Sequence, residues 1–153
     1  MVGHYDAHRQ PFSIGVSVCM FSDKELEYLT SQRLARFATV SSKGQPTVDA
    51  VGFVFDPQQQ RFYIGGHNLP ASRKYRNIAA GNRQVALIID DLASVQPWAP
   101  RGIKVHGTAA IVQREGQFGP GDYFAITPTI SWSWGIVAAA FQSPPNRIEW
   151  NAA

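Results

Sequence analysis

A chain of 153 residues that is 44% hydrophobic and 16% charged carries enough apolar side chain for one domain with a substantial core, and is not a disordered polymer. Its net charge of +3 is not massed in long basic runs, so nucleic acid is not the first partner to expect, and an anionic small molecule fits equally well. The single cysteine, Cys19, excludes an internal disulfide and a cysteine zinc site and points to a reducing, cytoplasmic setting; no apolar run nears the roughly 20 residues of a membrane span.

Residues 1–19 read as a loose N-terminal extension, and residues 20–153 as a single domain. Residues 11–20 (PFSIGVSVCM) lack the basic start and longer apolar core of a signal peptide. Ser22 followed by Glu25 is a capping box, and Phe21, Leu26 and Leu29 place a short amphipathic helix over 23–31. Residues 34–40 (LARFATV) and 47–55 read as a hairpin around the turn Ser41–Gly44. A turn at Asp56–Gln60 leads to a third strand over 61–66. A second helix spans 72–80 and stops at Gly81–Asn82. Residues 85–89 are nearly all apolar, the pattern of a strand buried on both faces.

Residues 92–102 (LASVQPWAPRG) hold two prolines and a tryptophan and read as a loop. A long strand over 103–112 and a Gly-rich turn over 113–121 follow. Two strands over 123–127 and 130–136 are expected, broken at Pro128, and then an irregular tail with Pro144–Pro145. Short turns between strands, with no alternating strand–helix series, predict a closed antiparallel barrel with peripheral helices rather than a doubly wound sheet.

Phe62 to Asn77 (FYIGGHNLPASRKYRN) is the richest segment for function. A strand ends in Gly65–Gly66, a polar loop follows, and the second helix opens with Arg73, Lys74 and Arg76 in its first turn and a half. The helix dipole disfavours cations there. A bound phosphate would resolve the conflict through the Ser72 hydroxyl, free N–H groups and the basic side chains, and the plainer alternative is a solvated basic helix end.

No GxGxxG, P-loop or GxSxG pattern is present. His4 and His8 have i,i+4 spacing but lack the further ligands a metal needs. His67 could touch a ligand beside the double glycine, or be merely solvated. His106 lies opposite the Ile103 and Val105 face and reads as structural. Asp90–Asp91 read as capping or ion-pair groups before acid–base groups. Trp132 with Trp134, and Phe53 with Phe55, are expected in the core, whereas Trp98 on a proline-framed loop reads as a lid or interface anchor.

Three segments, 34–56 (LARFATVSSKGQPTVDAVGFVFD), 62–77 and 84–111 (QVALIIDDLASVQPWAPRGIKVHGTAAI), resemble the pyridoxamine-phosphate-oxidase-like, FMN-binding split β-barrel superfamily. Within it the chain looks like a coenzyme F420 (deazaflavin)-dependent oxidoreductase, similar to the subgroup containing the F420-dependent reductase of tetracycline-type biosynthesis. The resemblance covers about residues 20–137 and implies a homodimer with two cofactor sites at the interface. It implies that Ser72, Arg73 and Lys74 hold the cofactor phosphate with Asn77 nearby. Val51, Gly52 and Phe53 would lie along the ring system, Ile64 and Gly65 would flank the ribityl chain, and Trp98 would arrive from the partner subunit.

The resemblance further implies an F420H2-dependent reductase that passes hydride from the deazaflavin to a conjugated, polycyclic or otherwise aromatic small molecule. No catalytic side chain is required for that step, though His67 and Tyr63 are candidate proton donors. Rival readings are an FMN-binding oxidoreductase on the same fold and a non-catalytic F420- or flavin-binding protein. Pyridoxamine-phosphate oxidases proper end in an Arg-containing substrate segment that SPPNRIEWNAA does not match, so vitamin B6 oxidation is not expected.

Overall fold

The computed structural model describes residues 19–150, so the reading of 1–19 as an extension, apart from Cys19, and the His4–His8 pair lie outside the described residues. Two helices, α1 (Asp23–Ser31) and α2 (Arg73–Ala79), accompany eight strands: β1 (Leu34–Val40), β2 (Pro46–Gly52), β3 (Val54–Asp56), β4 (Arg61–Ile64), β5 (Gln84–Ser94), β6 (Ala99–Gly116), β7 (Gly119–Trp134) and β8 (Asn146–Glu149). All pairings are antiparallel, in the order β2-β1-β5-β6-β7-β4-β3, with β8 also on β7. The antiparallel barrel with peripheral helices is therefore observed. No described helix is long and apolar enough to cross a membrane.

The 92–102 loop is not observed. β5 and β6 run on through it, and only 95–98 turn. Pro100 is accommodated at the ladder position opposite Leu92, next to a bulge between Leu92 and Ser94. The break at Pro128 is also absent: β7 is continuous, and the proline sits where the β6–β7 register shifts between His106 and Gly107. A Cβ on Gly107 would fall 2.5 Å from the Thr127 carbonyl oxygen, so this shift admits only glycine there. The tail is not wholly irregular, because Asn146–Glu149 pairs with Ile130–Ser133.

Alternation sets the core. Ala35, Phe37, Leu87, Ile89, Ile103, Val105, Phe124 and Ile126 face inward and are fully or almost fully buried. Phe62 packs against Phe21, Phe53 and Phe55. Trp132 and Trp134 depart from the expectation. Ser131 and Ser133 take the inward positions, while Trp132 faces out beneath Lys104, with Nζ 4.4 Å from the ring centroid, and meets His106 edge-on at 4.9 Å.

The capping box forms as read. The Glu25 amide donates to Ser22 Oγ, and the Ser22 amide donates to Glu25 Oε2 at 2.8 Å. Glu25 is nonetheless 1% exposed, because Oε1 also accepts from Ser133 Oγ at 2.5 Å and Asn146 Nδ2 at 3.1 Å. One carboxylate thus caps α1 and joins it to β7 and the start of β8. Glu25→Ala removes the reciprocal half of the capping box and strands the buried Ser133 donor, so it is expected to lower stability by about 1–3 kcal/mol, with Glu25→Gln milder; urea melts of the three proteins measure the order.

Candidate functional site

β4 stops at Ile64 because Gly65 must pass beneath an aromatic lid. A Cβ there would lie 2.4 Å from the Tyr123 ring and 2.9 Å from Phe118. At Gly52 a Cβ would lie 3.2 Å from both Gln117 and Phe118. The tip of the β6–β7 hairpin therefore folds over both glycines. Tyr123 pins it by accepting from the Phe118 amide at 3.0 Å and donating to the Gly119 carbonyl at 2.7 Å.

Beyond Gly66 the chain turns through Asn68, at φ +52, and a 3-10 turn over Leu69–Ala71. Ser72 caps α2: its Oγ donates to the Leu69 carbonyl at 2.6 Å and accepts from the Tyr75 amide at 3.2 Å. The amides of Arg73 and Lys74, in the first turn, have no helical acceptor. No acid occupies that turn. Arg73 is exposed, Arg76 folds back to the Ala71 carbonyl at 3.3 Å, and the Lys74 ammonium lies 4.0 Å from the Asp49 carboxylate on β2.

Two contacts hold α2 in place. Asn77 is buried and donates to Thr39 Oγ1 at 3.0 Å, which itself lies 3.3 Å from Thr47 Oγ1. Tyr75 donates to Asp122 at 2.7 Å, and that bond to a carboxylate raises the phenol pKa.

The expected cofactor residues fall into three groups. Ser72, Arg73 and Lys74 form one half-exposed turn. Gly52 and Gly65 lie together beneath Phe118. The side chains of Val51, Phe53, Ile64 and Asn77 are buried in the core or against β1, so they shape the frame rather than offer surface. Trp98 stands apart at the β5–β6 tip, 58% exposed, with no aromatic or cationic partner among the described residues.

Of the candidate proton donors, Tyr63 gives its hydroxyl proton to Gln59, and its ring is covered by the Arg114 guanidinium at 3.6 Å. His67 is exposed on the turn. Asp49, Gln117 and Phe118 escaped the sequence reading, because only the hairpin's fold-back and the docking of α2 on β1, beside β2, bring them here. Near Gly52, a cleft of about 300 Å³ opens between the end of α1 and β3. Leu26, Leu29, Phe53, Phe55 and Gln117 line it, with Arg33 its sole charged group.

Asp90 and Asp91 occupy ion pairs. Asp90 meets Arg36 at 3.4 Å. Asp91 accepts from Arg101 at 2.8 and 2.9 Å, from the Tyr28 hydroxyl at 3.0 Å and from Gln32 at 3.3 Å. The Arg101 hydrogen bonds hold the Asp91 carboxyl below its usual pKa, and burial followed by the Asp91 contact raises the Tyr28 phenol. Cys19 is half-buried, with its thiol pushed up mainly by burial. Among the described residues no three His, Cys, Asp or Glu side chains gather in a metal-binding arrangement.

Residues 21–142 match the family model described as pyridoxamine 5'-phosphate oxidase. The chain belongs to that family. Over 97 residues this family member is 36% identical to the 5a,11a-dehydrotetracycline/5a,11a-dehydrooxytetracycline reductase of Streptomyces rimosus, spanning 63% of this chain and 68% of that one. A solved F420 reductase is 25% identical, with a TM-score of 0.53 over 69% of this chain and 94% of its own. A heme binding protein from Mycobacterium smegmatis superposes with a TM-score of 0.61 at 12% identity, covering 82% of this chain and 57% of its own, and shares the fold alone.

The depressed Asp91 pKa makes a pH prediction. A carboxyl whose folded pKa lies below its unfolded value of about 3.9 stabilises the protein above that pH and loses the contribution as pH falls through the folded value. Asp91→Asn is therefore expected to be about 1–2 kcal/mol less stable than the parent at pH 7. The gap should narrow as pH falls below about 4 in denaturant melts, and a constant gap would contradict the assignment.

Proposed function

We propose that this protein is an oxidoreductase, an F420H2-dependent reductase that passes a hydride to a conjugated, polycyclic small molecule. The observation that carries the reading is the Ser72–Lys74 turn, where two cations and two amides without a helical acceptor stand together with no acid in the helix's first turn, while the Ser72 hydroxyl is engaged as the helix cap. This donor set fits a phosphate. The 36% identity to a reductase of dehydrotetracyclines supports both the reaction class and a fused-ring acceptor.

A bound reduced deazaflavin supplies the hydride from its own ring carbon. The chain's work is to bind and orient. Arg73 and Lys74 would hold the phosphate, and the backbone at Gly52 and Gly65 would border the ring and ribityl chain. The cleft between α1 and β3 adjoins that strand, with an apolar floor for fused rings and Arg33 for an acidic oxygen at the mouth. Phe118, 54% exposed, is placed to shield the ring from water.

The carrying test is fluorescence titration with F420 and FMN at two ionic strengths. F420 should bind about tenfold tighter at low salt, roughly 1.4 kcal/mol, because only it carries a carboxylate tail toward the basic surface, and the gap should shrink as salt rises. Lys74→Ala should weaken both ligands by about 1.5–3 kcal/mol without disturbing the fold. Tighter binding of FMN at both salts would replace F420 with FMN in the reading. Binding without turnover of reduced F420 and an enone acceptor would leave a binding protein.

The proposed assembly is a homodimer. Val95 and Trp98 on the β5–β6 tip, and Val48 on β2, are each more than half exposed, and such surface is characteristic of an interface. Sedimentation at micromolar concentration is expected to give twice the chain mass, and Trp98→Ala should shift the balance toward monomer.

A further inference from the structure

Asp49 is the only carboxylate whose ion pair reaches the Ser72–Lys74 turn among the described residues, and it belongs to a strand rather than to the turn. Its position is fixed. β2 pairs Asp49 with Phe37 of β1, and the neighbouring Thr47–Thr39–Asn77 contacts clamp α2 against the same face. The Lys74 side chain is 17% exposed and Asp49 is 45% exposed, so the ammonium is tucked against the sheet while the carboxylate keeps an open side. An anion held by Lys74 must therefore approach a fixed negative charge as well as the positive one.

The penalty of that approach scales with the charge on the anion. A phosphomonoester carries about −1.5 to −2 at pH 7, whereas a phosphodiester has no second ionisable proton and carries −1. Asp49 offsets part of the positive charge of Arg73, Lys74 and Arg76, and the repulsion it adds is about twice as large for a doubly charged anion as for a singly charged one. We infer that Asp49 is a specificity residue that turns the Lys74 anion site toward phosphodiesters and against phosphomonoesters. The inference rests on the proposed cofactor reading and deepens it. F420 presents its phosphate as a diester and FMN as a terminal monoester, so the discrimination is made by charge, at the end of the cofactor remote from the ring. The mechanism is one of unequal repulsion: the carboxylate repels both phosphates, and the doubly charged one more.

The test compares the wild type with Asp49→Asn and Asp49→Ala, binding FMN, F420 and riboflavin by fluorescence titration, with thermal melts to confirm that both variants fold. Riboflavin shares the ring and ribityl chain of FMN and lacks the phosphate. Removing the carboxylate should tighten FMN roughly tenfold and F420 roughly threefold, the ordering expected when one nearby charge is deleted, while riboflavin stays unchanged. Equal gains for FMN and F420, no gain for either, or a parallel gain for riboflavin would overturn the role of Asp49 while leaving the cofactor site standing. Failure of the wild type to bind either phosphate ligand would overturn the cofactor reading and this inference with it.

Discussion

The β6–β7 ladder is the constraint on which the rest of this structure depends. It runs from Gly102 opposite Trp134 to Gly116 opposite Gly119. A strand has two edges, and β6 takes the whole of one. The other edge of β7 must serve two partners in succession, β4 at Phe124–Ile126 and β8 at Ile130–Ser133. Both fit only because the ladder shifts register at His106–Gly107, opposite the one residue of β7's middle that has no N–H to donate. The residue that the shift leaves without a partner on β6 is Thr129, directly after Pro128. The same ladder carries the tip bearing Gln117 and Phe118 across Gly52 and Gly65, so the barrel's longest hairpin also roofs the candidate site.

The seam beside β8 is closed by polar groups rather than by more apolar surface. Inward-facing Ser131 and Ser133 are small and leave room for α1 to dock. Ser133 donates to Glu25, and Ser131 accepts from the Trp150 indole at 2.8 Å. A buried carboxylate is tolerable only when its lone pairs are filled, and Glu25 has donors from its own cap, from β7 and from β8. α1 is thereby placed with its C-terminal end over β3, which creates the cleft beside Gly52.

Local signals were legible in the sequence and compensated ones were not. The Ser22–Glu25 box and the Leu34–Val40 strand each state their structure within a few residues, and each is observed. Pro100 and Pro128 misled because each sits beside a register shift, where a ladder can admit a proline. Trp132 and Trp134 misled because bulk was read as burial, whereas alternation assigns the inward positions to the serines between them. In the site, the basic turn after Gly65–Gly66 announced itself, and the family resemblance added its cofactor. The sequence had no means of showing that Val51, Phe53, Ile64 and Asn77 spend their side chains on the frame. Asp49, twenty-five positions before Lys74, becomes its neighbour only because α2 docks on β1 and β2 pairs beside it.

Several of the described acids have structural or electrostatic occupations. Glu25 caps and stitches, Asp90 and Asp91 bind arginines, and Asp122 anchors α2 through Tyr75. Tyr63, the buried phenol nearest the double glycine in sequence, has its proton committed to Gln59. In the proposed reading the chain's work is to hold and orient. The ladder, the bulge and the two anchors of α2 fix where a cofactor's ring and phosphate would lie, and the reactive atom comes with the cofactor. The remaining freedom lies in electrostatics at the phosphate end, where a single carboxylate beside a single lysine alters which anion is held without touching the fold that holds it.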